Sequence, residues 1–277
     1  MSRSSSYLKK IYLRFVITLF IIGVTLISCN KTSPNKGLKI VSLSPAMTEI
    51  LFSLGAQDHL VGITTFCDYP EATKNLYKVG DFSHPSLERI VSLKPDLVIV
   101  NLPEQTSIKN TLEKLKINVF VASPKSLNDI YYEIGAMGKI LKKEKAADSL
   151  IHYMHANLKP IEIKRRKVVY VEISPRPIVT IGRENFLNEL IDMAGAINIF
   201  ADLNQEYPVV AQEEVIRRNP EIIILLHPGD IKDRIGWMKI SAIRNNMVFK
   251  NFNQDYLMRP GPRLVLGFKE LNRVINE

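Results

Sequence analysis

Residues 86–100 and 211–225 carry the same order of polar and apolar positions. Each opens on a short amphipathic stretch, Ser86-Leu-Glu-Arg-Ile-Val-Ser92 in one copy and Ala211-Gln-Glu-Glu-Val-Ile-Arg217 in the other. Each breaks ahead of a proline, Pro95 or Pro220, and then runs through unbroken apolar residues to Val100 or Leu225. Glu88 aligns with Glu213, Ile90 with Val215 and Asp96 with Glu221. The proline cannot continue a helix, because it has no N–H and its ring crowds the preceding turn. An apolar run without alternation predicts a parallel strand covered on both faces. A second echo precedes the first: Glu49-Ile-Leu with Gly55 in one half, Glu189-Leu-Ile with Gly195 in the other. One α/β unit is used twice, which predicts two similar lobes and a cleft between them where a ligand binds.

The same pattern divides the chain. An N-terminal lobe at 38–142 begins with a strand at 38–43, after which Ser44-Pro45 opens a helix that Gly55 ends. Strands follow at 60–64, 96–100 and 117–122, with helices between them. A C-terminal lobe at 166–277 has strands at 167–172, 221–225 and 247–250. Its helices lie at 186–194 and after Ala211, and a closing helix carries Leu264, Phe268 and Leu271 on one face. The linking segment 143–165 does not repeat. Ala147, Leu150, Ile151, Met154, Leu158 and Ile161 recur at helical spacing and predict one long helix of roughly 30 Å, its last turn trimmed by Pro160. The expected fold class is α/β: two similar lobes with mostly parallel sheets, joined by one long rigid helix, with the ligand cleft between the lobes.

Residues 1–28 depart from this pattern. Arg3, Lys9, Lys10 and Arg14 form an acid-free basic region ahead of an apolar run from Phe15 to Ile27. That run has signal-peptide length and falls short of the ~20 residues of a spanning helix. It ends Leu26-Ile27-Ser28-Cys29, similar to the bacterial lipobox, whose cysteine is lipidated. Residues 29–37 read as a polar tether, and the chain is expected outside the cytoplasm, periplasmic or extracytoplasmic, anchored to a membrane through Cys29. The signal's four basic residues account for +4 of the net charge of +9, and the remaining +5 is spread without a basic stripe. No nucleic-acid partner is expected. With Cys29 lipidated, Cys67 has no cysteine to pair with.

The chain holds no phosphate-binding GxxxxGK[ST] loop, no G-x-S-x-G elbow and no HExxH pair. His152 and His155 lie three apart on the linking segment without a third ligand, and read as surface histidines. No enzymatic activity, catalytic residue, cofactor or metal site is expected. What remains is the loops at strand ends, each with an aromatic beside Gly, Pro or Asp: Phe66 in 65–70, Phe82 in 79–85, Tyr207 in 205–208 and Tyr256 in 255–259. Aromatics gathered at equivalent ends of two sheets point to a flat, largely apolar ligand.

Ile40-Val-Ser-Leu-Ser-Pro45 with Glu49, Cys67-Asp-Tyr-Pro70, Val79-Gly80, the 87–99 stretch, Thr180-Ile-Gly182, Tyr207-Pro208 and Arg259-Pro-Gly-Pro-Arg263 together resemble the periplasmic cobalamin-binding proteins of ABC importers. The resemblance covers about residues 38–275 and is specific for the helical-backbone class of substrate-binding proteins. It implies capture of cobalamin or a related corrinoid and delivery to a dimeric ABC permease by a monomeric binding protein. A ferric-siderophore or haem ligand is the alternative within the class. It places Phe66, Phe82 and Tyr207 against the corrin, and Asp255, Tyr256 and Arg259 in the loop that closes over the ligand. It also implies that Glu88 and Glu213, one per lobe, dock onto permease arginines.

Overall fold

The computed structural model describes residues 37–231 and 234–276. The expected signal segment and Cys29 lie outside these residues. Among the described residues no helix is long and apolar enough to cross a membrane.

The first sheet grows from β1 (Ile40–Ser42). Helix α1 (Pro45–Ser53) follows at once. Ser44 accepts a bond from the Met47 N–H, Pro45 fits the first turn, and Gly55 ends the segment at φ +62°, in the left-handed region that favours glycine. Next come β2 (Leu60–Ile63), α2 (Leu87–Ser92), β3 (Leu97–Asn101), α3 (Thr106–Lys114) and β4 (Val119–Ala122). The four strands are parallel, in the order β2-β1-β3-β4.

Two helices then pack on each other, α4 (Leu127–Leu141) and α5 (Glu144–Asn157). A Cβ on Gly138 would lie 2.5 Å from that of Ala147, so the bare glycine lets them close. Helix α5 is shorter than the helix expected at 143–165: its 14 residues span about 21 Å. Lys159 precedes Pro160, which disfavours a helical conformation and supplies no N–H, and Leu158 already leaves the helix at ψ 87°. Ile161, expected on the helical stripe, instead donates its N–H to the Met193 carbonyl at 2.8 Å.

The second sheet repeats the first. Strand β5 (Val168–Pro175) is followed by β6 (Ile178–Thr180), α6 (Phe186–Met193), β7 (Ile197–Asn198), α7 (Gln212–Arg218), β8 (Ile222–Leu225), α8 (Ser241–Arg244) and β9 (Val248–Phe249). Its parallel strands run β7-β5-β8-β9, matching β2-β1-β3-β4 position for position. Gly195 ends α6 at φ +78°, as Gly55 ends α1. The addition is β6, an antiparallel strand on the carboxyl half of β5 that sequence periodicity does not reveal. Helices α9 (Gln254–Met258) and α10 (Leu264–Asn276) close the chain.

Both sheets are covered on both faces, which is why their strands read as continuous apolar runs. The outer faces bury separate cores, Val41, Val98 and Leu112 in one lobe and Tyr170, Val215 and Trp237 in the other. The inner faces share one: Ile40, Met47 and Ile99 join Met137 and Met154 of the paired helices, then Val169, Leu190 and Ile224, then Leu271. This common core is the physical basis of a stiff junction between the lobes.

Candidate functional site

The carboxyl ends of both sheets open onto one cleft of about 580 Å³. The first lobe supplies the start of α1 at 44–46, Phe66, Phe82, the turn 101–104 after β3, and Ser123-Pro124 after β4. The second supplies Ile173 and Ser174 of β5, Val179 of β6, Phe186, Glu206 and Tyr207. Met258, Arg259 and Pro260 complete the wall.

The aromatics are presented by anchored loops. Cys67 is buried, its sulfur 3.2 Å from the hydroxyls of both Thr48 and Thr64. Pinning Cys67 inward turns Phe66 outward, to 56% exposure. Phe66 meets Phe82 edge to face, ring centres 6.4 Å apart. The Phe82 loop is held by buried Gln105, whose amide donates to the carbonyls of Phe82 at 2.8 Å and Leu43 at 3.2 Å. Tyr207 follows a backbone pairing in which Gly182 N–H donates to the Glu206 carbonyl at 3.1 Å. A Cβ on Gly182 would lie 2.2 Å from the Gln205 carbonyl oxygen, so only glycine permits that approach. Burial pushes the Tyr207 phenol up to about 12, with Glu206 and Glu104 adding to the rise and Asn185 opposing it. Tyr207 therefore presents a neutral hydroxyl at physiological pH.

A buried charge cluster backs the wall. Glu49 on α1, 3% exposed, accepts from Arg259 Nη1 at 3.1 Å and from Arg263 Nε at 2.8 Å, with a second Arg263 bond through Nη2. Arg259 also reaches Asp68 at 2.7 Å, Asp255 at 3.0 Å and the Phe66 carbonyl at 3.3 Å. The Arg263 guanidinium lies 4.2 Å from the ring centre of Tyr69 and 5.4 Å from that of Tyr256. Burial disfavours the charge on Arg259, but its acidic partners outweigh that and raise its pKa further. At Asp68 burial pulls upward, and Arg259 more than offsets it, leaving the carboxyl below the ordinary range.

Four of the six expected ligand residues, Phe66, Phe82, Tyr207 and Arg259, stand on the cleft wall. Asp255 and Tyr256 do not. The expected loop at 255–259 is instead α9, stopped at Met258, and it turns these two side chains onto Arg259 and Arg263 behind the wall. Glu104, Gln105, Glu206 and Met258 escape a search for loop aromatics. The signal that could have found Glu104 is its place directly after a strand's carboxyl end, where open α/β sheets bind ligands. His155, half of the histidine pair, stacks on Tyr131 with ring centres 4.1 Å apart.

Glu88 and Glu213 occupy the second position of α2 and α7 and are exposed. Glu88 makes no hydrogen bond or ion pair among the described residues, and Glu213 meets only the Gln212 side-chain amide at 3.2 Å. Neighbouring Glu214 is different: hydrogen bonds from Arg217 and Arg218 hold its carboxyl below the usual range.

A family model described as periplasmic binding protein matches residues 40–251. An uncharacterized ABC transporter substrate-binding lipoprotein of Bacillus subtilis, YvrC, is 34% identical over 84% of this chain and 78% of its own length. A vitamin B12-binding protein of Vibrio campbellii is 31% identical over 84% of this chain and 87% of its own. The crystal structure of a "possible" iron-binding (periplasmic solute-binding) protein from Staphylococcus epidermidis superposes with a TM-score of 0.76 at 30% identity, covering 86% of this chain and 98% of that one.

Proposed function

We propose a function from one premise: the chain belongs to the periplasmic binding protein family. The protein is a lipid-anchored substrate-binding protein of an ABC importer that captures cobalamin or a related corrinoid and hands it to the permease. The observation that carries this reading is the cleft between two lobes, with Phe66 and Phe82 on one wall and Tyr207 on the other. Its volume of about 580 Å³ lies in the roughly 300–1,000 Å³ range of small-molecule and cofactor sites. Aromatic faces on both walls suit a flat macrocycle, and the neutral polar groups of Asn101, Ser123 and Ser174 suit its polar edge. The vitamin B12-binding relative supports the corrinoid, and the lipoprotein relative supports an anchor at Cys29. Unpartnered Glu88 and its counterpart Glu213 are the docking acids for a permease presenting two equivalent basic sites.

Calorimetry with cyanocobalamin tests the ligand. Stacking one aromatic on a large ligand contributes ~1–3 kcal/mol, so Phe66→Ala, Phe82→Ala and Tyr207→Ala should each weaken binding about tenfold or more. No heat at high micromolar cyanocobalamin would reject the corrinoid. The Staphylococcus epidermidis structure, described as that of a "possible" iron-binding protein, favours a second reading, an iron chelate. The visible spectrum of protein purified from its native host separates corrinoid, haem and ferric-catecholate bands.

A further inference from the structure

Three charged side chains stand on the cleft wall: Glu104, Glu206 and Arg259. They are not equivalent. Arg259 is neutralised from behind by Glu49, Asp68 and Asp255 at 3.1, 2.7 and 3.0 Å, so it offers no free positive charge to a ligand. Glu104 and Glu206 have no such partner. Neither makes a side-chain hydrogen bond or ion pair among the described residues. The cation that acts on Glu206, Lys125, is bonded to Glu184 at 2.8 Å. Glu104 comes from the turn after β3 and Glu206 from the second lobe, so the two acids flank the cleft from opposite lobes. Burial is the main cause raising the Glu206 carboxyl, Lys125 opposes the rise, and Glu104 and Glu184 add to it. Glu104 and Glu206 both also add to the rise at the Tyr207 phenol.

A site with unbalanced acids on both walls repels an anionic ligand. It accepts amide N–H groups, which bond to a carboxylate, and it tolerates a cation. We propose that Glu104 and Glu206 are specificity-determining residues that make this cleft select a neutral or cationic, amide-edged macrocycle and reject one edged with carboxylates. The inference rests on the reading of the cleft as a macrocycle site and deepens it, separating amide-edged corrinoids from carboxylate-edged haem and anionic siderophores.

The test uses two ligand pairs, each differing in its carboxylates alone. The first is cyanocobalamin and its monocarboxylic acid derivative with one amide hydrolysed; the second is haemin dimethyl ester and haemin. Titrations by absorption or calorimetry at fixed pH and ionic strength give a ratio of affinities for each pair. The unmodified protein should prefer the uncharged member of each binding pair by tenfold or more. The double variant Glu104→Gln/Glu206→Gln, with its melting temperature checked for intact folding, should bring the ratio within about threefold while cyanocobalamin affinity changes less. A ratio near one in the unmodified protein, or a ratio untouched in the folded double variant, overturns the inference even where corrinoids bind. A porphyrin pair that shows the preference while corrinoids fail to bind supports the charge filter and overturns only the corrinoid reading. Failure of all four probes to bind overturns both.

Discussion

Replacing Glu49 by alanine should be among the most costly single changes outside the apolar core. The carboxylate is 3% exposed and serves Arg259 and Arg263 together, with Arg263 held by two bonds from Nε and Nη2. Removing one member of a buried pair typically costs about 3–5 kcal/mol, because the partner's charge is left desolvated and unmatched. Here the arginines keep Asp68 and Asp255, and Arg263 keeps its stacking on Tyr69 and Tyr256, so the lower end applies, about 3 kcal/mol. For a body of this size that corresponds to a melting point lower by about 6–12 °C. Urea unfolding of Glu49→Ala, Arg263→Ala and the double variant gives the coupling directly. Removing both partners takes away the orphaned charge as well as the bond, so the double variant should cost less than the two single losses added, by about 1–3 kcal/mol. A loss below 1 kcal/mol for Glu49→Ala, or strictly additive losses, would refute the cluster as a structural clamp.

Two further outcomes follow from buried groups and close contacts. Burial, opposed by the Ser123 N–H and assisted by Asp129, pushes the Glu133 carboxyl from 4.5 to about 7. Its folded pKa lies above its unfolded one, so its contribution is intact below about pH 4.5 and is lost as pH rises through about 7. Glu133→Gln, which keeps an acceptor for Ser123, should therefore add on the order of 3 kcal/mol at pH 8 and nearly nothing at pH 4; equal gains at both pH values would contradict the assignment. Gly267→Ala should destabilise by about 1–3 kcal/mol, because its Cβ would sit 2.4 Å from the Tyr256 carbonyl oxygen, whereas helical Gly135→Ala meets nothing nearer than 3.9 Å and should stabilise by about 0.5–1 kcal/mol. Thermal melts of the pair should move in opposite directions.

The duplication was legible because it rests on local physics. Proline breaks, apolar runs and paired glycines mark strands and helix ends without reference to the rest of the chain; the matched orders β2-β1-β3-β4 and β7-β5-β8-β9 depend on long-range pairing and come from the structure alone. Loop aromatics were legible for a similar reason: Phe66, Phe82 and Tyr207 sit beside turn residues at strand ends. Helix α5 is shorter than its apolar stripe because Pro160 and its neighbour end it at Asn157 rather than merely trimming a last turn near 165. Asp255 and Tyr256 look like loop residues next to Arg259, yet they lie on a helix whose ion pairs to Arg259 and Arg263 and ring contact with Arg263 hold them behind the cleft. Glu104 has only its place after β3 to mark it, and Glu206 carries no local pattern. Their significance depends on which cations are already taken, and Arg259 is taken by Glu49, 210 residues away.

The two glutamates of the second echo explain how the halves are joined. Glu49 and Glu189 hold matching places, six residues ahead of Gly55 and Gly195 on α1 and α6. Glu49 grips Arg259 and Arg263, which follow β9, the fourth strand of the opposite lobe. Glu189 accepts the Leu127 N–H at 3.0 Å, and Leu127 opens the helix that follows β4, the fourth strand of the lobe opposite to it. Each half thus ends by crossing to the other, where the equivalent carboxylate fastens it. The exchange is what lets the inner core run unbroken from Ile40 to Leu271. Swinging the lobes apart would expose that shared core at roughly 25 cal/mol for every Å² of apolar surface and would break both carboxylate ties. The cleft is consequently a preformed site, its aromatics Phe66, Phe82 and Tyr207 held on anchored loops over a junction that resists opening.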